Sequence, residues 1–150
     1  MKLFKLSKIL GLTTAFAISS QATLLIQQNK VLAGSGTSTL NTGEYLYPGQ
    51  YLISPDAQFR VQLQYDGNFV LYNSSGTALW ASNTANTAAS YIVMQSDCNL
   101  VIYGYNSLPI WASYTTFGSS CRLAVQNDGN LVIYRGDNVP LWAKGTKLIG

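Results

Sequence analysis

QYDGNFVLY at residues 64–72, QSDCNLVIY at 95–103 and QNDGNLVIY at 126–134 are three versions of one nonapeptide, each 31 residues after the last. Gln, Asp, Asn, Val and Tyr occupy every second position in all three. Successive side chains of an extended strand point to opposite faces. Read as a strand, each copy presents an amide, a carboxylate, a second amide, a methyl pair and a phenol on one face. The other face carries Phe69 and Leu71, Leu100 and Ile102, or Leu131 and Ile133. A fixed period of this length marks a repeat architecture, whose units bury their apolar faces only against one another. The Asp-Gly pairs at 66–67 and 128–129 also match a tight hairpin turn. The second copy speaks for one unbroken strand: Cys98 stands at the glycine position, and a residue with a Cβ disfavours positive φ.

The repeat extends beyond the motif. Trp80, Trp111 and Trp142 keep the spacing of 31, each eight residues after its motif Tyr and within LWAS, IWAS or LWAK. Between Tyr and Trp lie NSSGTAL, GYNSLPI and RGDNVPL, rich in turn formers. Short strands broken by turns every 8 to 12 residues predict an all-β domain. The segment from Leu40 to Leu63, with a turn at Pro48-Gly49, is expected to supply the strands that the first copy needs. Three equivalent sheets about a pseudo-threefold axis, with the three Trp near that axis, would bury every apolar face. The phase of the Trp residues with the strands assigns them to the core rather than to sugar stacking.

The first 33 residues read differently. Lys2, Lys5 and Lys8 precede an apolar stretch from Ile9 to Ile18, followed by small and polar residues. This is the layout of an export signal, with cleavage after Ala22 or Ala33. The apolar stretch falls short of the ~20 residues that span a bilayer. The mature chain is therefore expected to be secreted, outside the cell or at its surface, without membrane insertion. From Gly34 onward Arg60, Arg122, Arg135, Lys144 and Lys147 face Glu44, Asp56, Asp66, Asp97, Asp128 and Asp137, so five minus six leaves −1 of the formal +3. The basicity belongs mainly to the leader and gives no case for a nucleic acid partner. Cys98 and Cys121 are the two cysteines, and an even count in an exported chain is most simply read as a disulfide.

The repeated polar face fits a sugar. A carboxylate accepts from vicinal hydroxyls, the two amides donate and accept, and Tyr adds a directional hydroxyl beside the apolar Val. Three Asp in three separate copies make a poor calcium cage, and a chain with two Cys and no His offers no zinc site. A glycosidase needs paired carboxylates about 5 to 10 Å apart. Each copy supplies one Asp, and Glu44 is the only glutamate.

The motif QxDxNxVxY, three times in constant register and followed each time by Trp, resembles the snowdrop-type mannose-binding lectins, also called bulb-type or monocot lectins. The resemblance covers residues 40–146. It implies an all-β, type II β-prism of three four-stranded antiparallel sheets, forming a lectin domain over 34–150 with no metal and no cofactor. It also implies one mannose pocket per motif. Asp66, Asp97 and Asp128 would take the 2-hydroxyl with Asn68, Asn99 and Asn130. Gln64, Gln95 and Gln126 would take the 3-hydroxyl, and Tyr72, Tyr103 and Tyr134 the 4-hydroxyl. Val70, Val101 and Val132 would pack on the ring carbons. The Cys98–Cys121 pair matches the family's usual disulfide. The partners implied are mannose-containing glycans or glycoproteins, held through several weak pockets at once. In the family the C-terminal strand is often exchanged between protomers. Here Leu148-Ile149 could pair across a homodimer or finish a sheet of its own chain. A rival reading on the same fold is a bacteriocin-like or defence protein, in which mannose recognition targets the action or gives way to a protein partner.

Overall fold

The computed structural model describes residues 36–146, which form twelve strands and no helix. In chain order these are β1 (Thr39–Asn41), β2 (Tyr45–Leu46), β3 (Tyr51–Ile53), β4 (Phe59–Leu63), β5 (Phe69–Asn73) and β6 (Ala78–Ala81). There follow β7 (Ala89–Met94), β8 (Leu100–Gly104), β9 (Pro109–Ala112), β10 (Arg122–Val125), β11 (Asn130–Tyr134) and β12 (Pro140–Gly145). They make three four-stranded antiparallel sheets, ordered β3-β4-β5-β6, β2-β7-β8-β9 and β1-β10-β11-β12. This is the type II β-prism, one sheet per motif copy.

The nonapeptide is not one strand. Its first half turns the chain, and only its second half runs through the centre of the sheet. In the first copy the Gln64 amide donates to Asn68 O at 2.8 Å and the Gly67 amide to Gln64 O at 3.0 Å, with φ of 88° at Gly67. That is a three-residue hairpin loop closed by a left-handed residue. The other copies match it, from Gln95 to Asn99 at 2.9 Å and from Gln126 to Asn130 at 2.9 Å. The argument from Cys98 fails because Cys98 itself adopts φ of 74°. Its disulfide to Cys121, with Cα atoms 5.2 Å apart, ties it in place. At Gly67 no side chain would fit, since a Cβ would lie 2.8 Å from the Thr87 carbonyl oxygen.

The segment before the first motif also departs from expectation. β3 and β4 do belong to the first copy's sheet, but β2 is the edge of the second copy's sheet and β1 the edge of the third's. Their inward residues Leu52, Leu46 and Leu40 are fully buried, one under each sheet. The motif strands contribute Phe69, Leu71, Leu100, Ile102, Leu131 and Ile133, all at zero exposure. Burying a side chain of this size stabilises by roughly 1.5–3 kcal/mol. The three sheets meet at the tryptophans: Trp80, Trp111 and Trp142 touch pairwise, edge to face, with centroids 5.4 to 6.2 Å apart. The expected export signal over 1–33 and the Leu148-Ile149 tail lie outside the described residues.

Candidate functional site

Each hairpin places its motif residues by local hydrogen bonding. The Asp side chain caps its own turn: Oδ1 of Asp66, Asp97 and Asp128 accepts the amide of the Asn two residues on, at 2.9, 3.0 and 3.0 Å. This is the loop closure that Asp offers and apolar residues cannot. It leaves the carboxylate exposed at the mouth of each hairpin.

The two amides are oriented differently. Nε2 of Gln64, Gln95 and Gln126 donates to the hydroxyl of Tyr72, Tyr103 and Tyr134 at 2.7, 2.8 and 2.5 Å. The phenol oxygen thus accepts from the protein and keeps its own proton to donate, while the Gln Oε1 keeps its lone pairs. Asn68 Oδ1 accepts from Ser82 Oγ at 3.2 Å and from the Thr84 amide at 3.1 Å. Asn99 Oδ1 accepts from Ser113 Oγ at 3.2 Å and from the Tyr114 amide at 2.9 Å. With the carbonyl oxygen so occupied, the Asn side chain has its N–H groups to offer beside the Asp.

The motif Val and Tyr follow on β5, β8 and β11. Val70, Val101 and Val132 are almost inaccessible and floor each site between the polar groups. In all three sheets the pairing with the outermost strand slips by one residue at the motif Tyr: at Leu71/Tyr72, Ile102/Tyr103 and Ile133/Tyr134. A bulge of this kind re-aims a side chain. In the second copy the result is a cavity of about 260 Å3 lined by Gln95, Asn99, Val101 and Tyr103, with Trp111 and Tyr114 among its walls.

In each copy the Gln is thus joined to the Tyr and the Asp to the Asn amide, and in the second copy Gln95, Asn99, Val101 and Tyr103 line one cavity. Sequence reasoning missed the supports. Ser82 and Thr84, or Ser113 and Thr115, bond each other at 2.7 Å and hold the Asn, and the Thr hydroxyl also donates to Gly67 O or Cys98 O. They follow the first two Trp as WAS-x-T, in constant register with the motif. The third copy reads WAK-x-T and lacks the Ser. There Asn130 Nδ2 turns onto Asp128 Oδ2 at 2.9 Å.

No group of His, Cys, Asp or Glu among the described residues is placed to hold a metal ion. The one salt bridge among them, Arg135 to Asp137 at 2.7 Å, sits in the β11–β12 turn and holds the Asp137 carboxyl down at about 2.

No protein-family model matches the chain, and no curated protein matches it. Solved structures do. A monomeric monocot mannose-binding lectin from Gastrodia elata is 38% identical over 75% of this chain and 100% of its own, with a TM-score of 0.67. The chain belongs to the snowdrop-type lectin family. The mannose-specific agglutinin of snowdrop, Galanthus nivalis, solved with methyl α-D-mannoside, is 37% identical over 74% of this chain and 98% of its own, at a TM-score of 0.61. A Marasmius oreades lectin is 30% identical over 75% and 93%, at 0.67. As a member of this lectin family the chain is a carbohydrate-binding protein.

Proposed function

We propose that the mature chain is an exported, metal-independent and non-enzymatic lectin that binds terminal α-D-mannose in three pockets, one per motif. The observation that carries this is the threefold recurrence of one complementary hydrogen-bonding set. Each pocket offers a carboxylate acceptor near where the axial 2-hydroxyl would sit, a Gln oxygen for the 3-hydroxyl and a Tyr proton for the 4-oxygen, and the first two add an Asn amide donor beside the carboxylate. Val70, Val101 and Val132 would meet the ring carbons. Glucose, with an equatorial 2-hydroxyl, would leave the Asp and Asn unpaired, and a site built on hydrogen bonds rejects such an analogue strongly. Snowdrop agglutinin in complex with methyl α-D-mannoside is among the chain's relatives, which supports the choice of sugar. Each shallow pocket holds its sugar weakly, and three on one rigid prism favour surfaces bearing many mannosides.

The test is isothermal titration of the mature protein with methyl α-mannoside in EDTA, with the glucoside and galactoside as controls. Saturable mannoside heat at three per chain is expected. A folded protein that gives no heat with any of the sugars would make the polar turns purely structural and turn attention to a protein partner.

A further inference from the structure

Arg60, Tyr91 and Arg122 keep the repeat's spacing of 31, and each lies directly across its sheet from a motif tyrosine. Arg60 faces Tyr72, Tyr91 faces Tyr103 and Arg122 faces Tyr134. Directly paired side chains stand on one face of a sheet, with Cβ atoms about 4.5–5.5 Å apart. The position beside the motif Tyr therefore carries a cation in the first and third copies and a neutral ring in the second.

In the first copy a concavity of about 540 Å3 brings Arg60 and Gln62 together with the motif pair Gln64 and Tyr72. Arg60 is exposed there, its guanidinium 5.6 Å from the centre of the Tyr51 ring. In the third copy the Arg122 guanidinium lies 5.0 Å from the centre of the Tyr134 ring and donates one hydrogen bond to Asn138 Oδ1 at 2.7 Å. A guanidinium has five N–H donors, so most of those on Arg122 remain to be offered. The one salt bridge among the described residues joins Arg135 to Asp137, and neither Arg60 nor Arg122 is neutralised by a described carboxylate. In the second copy Tyr91 packs its ring 5.4 Å from that of Tyr103 and brings no charge.

With the motif Tyr on the 4-oxygen, the direction of the sugar's remaining arm is set. C5 bears C6 and adjoins C4, so a group on the 6-oxygen projects past the Tyr, away from the Asp at the 2-hydroxyl. A phosphate monoester there carries about −1.5 to −2 charges and three strong acceptor oxygens. The planar guanidinium fork matches such a group with paired N–H···O bonds. We propose that Arg60 and Arg122 make the first and third pockets selective for mannose with an anionic group at C6, of the 6-phosphomannoside class. The second pocket, with Tyr91 in that place, reads neutral mannose. This inference rests on the mannose-binding reading above.

The experiment titrates single-pocket variants with methyl α-mannoside and its 6-phosphate: D97A/D128A keeps the first pocket, D66A/D128A the second and D66A/D97A the third. The 6-phosphate is expected to bind roughly tenfold tighter than the plain mannoside in the first and third pockets and no tighter in the second. The gain should shrink as salt is raised. Arg60→Tyr and Arg122→Tyr install the second copy's residue, and Arg60→Gln serves as a further variant. All three should erase the gain and leave methyl mannoside affinity unchanged. Methyl mannoside binding without the gain, an equal gain in the second pocket, or a gain that survives these substitutions overturns this inference alone. So does equally tight binding of methyl α-glucoside 6-phosphate, which would make the arginines a phosphate site apart from the sugar pocket. Absence of methyl mannoside binding in the unaltered protein overturns the mannose reading and this inference with it.

Discussion

Replacing the disulfide in two different ways separates its two structural effects. Cys98 and Cys121 are 23 residues apart, and both are buried. On the chain-entropy model a closed loop of that length removes about 3.5 kcal/mol of freedom from the unfolded chain. Cys98 also holds φ of 74°, where its counterparts Gly67 and Gly129 hold 88° and 82°. A residue with a Cβ in that region costs about 1 kcal/mol more than glycine. The variant C98A/C121A should therefore lose about 3.5 kcal/mol, and C98G/C121A only about 2.5 kcal/mol, because glycine relieves the backbone. Urea unfolding followed by the fluorescence of the Trp trio measures both. With a slope of about 1.5 kcal/mol/M the midpoints should fall by about 2.3 M and 1.7 M. A glycine variant no more stable than the alanine variant would refute the backbone argument, and unchanged midpoints would refute the loop argument.

Further outcomes follow from the same geometry. In the third pocket the Asn130–Asp128 hydrogen bond competes with a sugar hydroxyl for the same two groups, and giving it up costs about 1 kcal/mol. Its mannoside affinity should be roughly fivefold below that of the first pocket, and Lys144→Ser should recover it. Titration of single-pocket variants decides the point. Thr115→Val removes the hydroxyl that bonds Cys98 O and Ser113, and should cost about 1–3 kcal/mol in unfolding while weakening only the second pocket. The Asp137 carboxyl, depressed to about 2 chiefly by its hydrogen bond from Arg135, contributes stability that is complete above about pH 4 and lost as the pH falls towards 2. Carboxyl NMR titration should find Asp137 unaltered from pH 5 upward, and a midpoint near 4 would deny the pairing.

The threefold spacing made the architecture legible, while the turn inside each motif and the strands outside the repeat were not. The spacing of Trp80, Trp111 and Trp142 placed them correctly at the axis, because a threefold pattern leaves few other ways to bury three indoles. The hairpin was misread at one residue: Cys98 looked like proof against a turn, and its crosslink is what holds it in one. β1 and β2 carry three and two residues, too short for any alternation to announce which sheet they join. The Ser and Thr after the first two Trp were visible as WAS-x-T. Only their bonds to Asn68 and Asn99 reveal that they shape the pocket.

Thr39 pairs with Ala124, 85 residues later, and Tyr45 with Val93. The short opening segment is thus a border for all three sheets, laid down first in synthesis and used last. Although the gene text reads as three interchangeable units, no unit can be deleted, duplicated or finished early without leaving a neighbour's sheet open. The prism can therefore lock only once its final repeat has been made, since β1 has no partner until β10 exists.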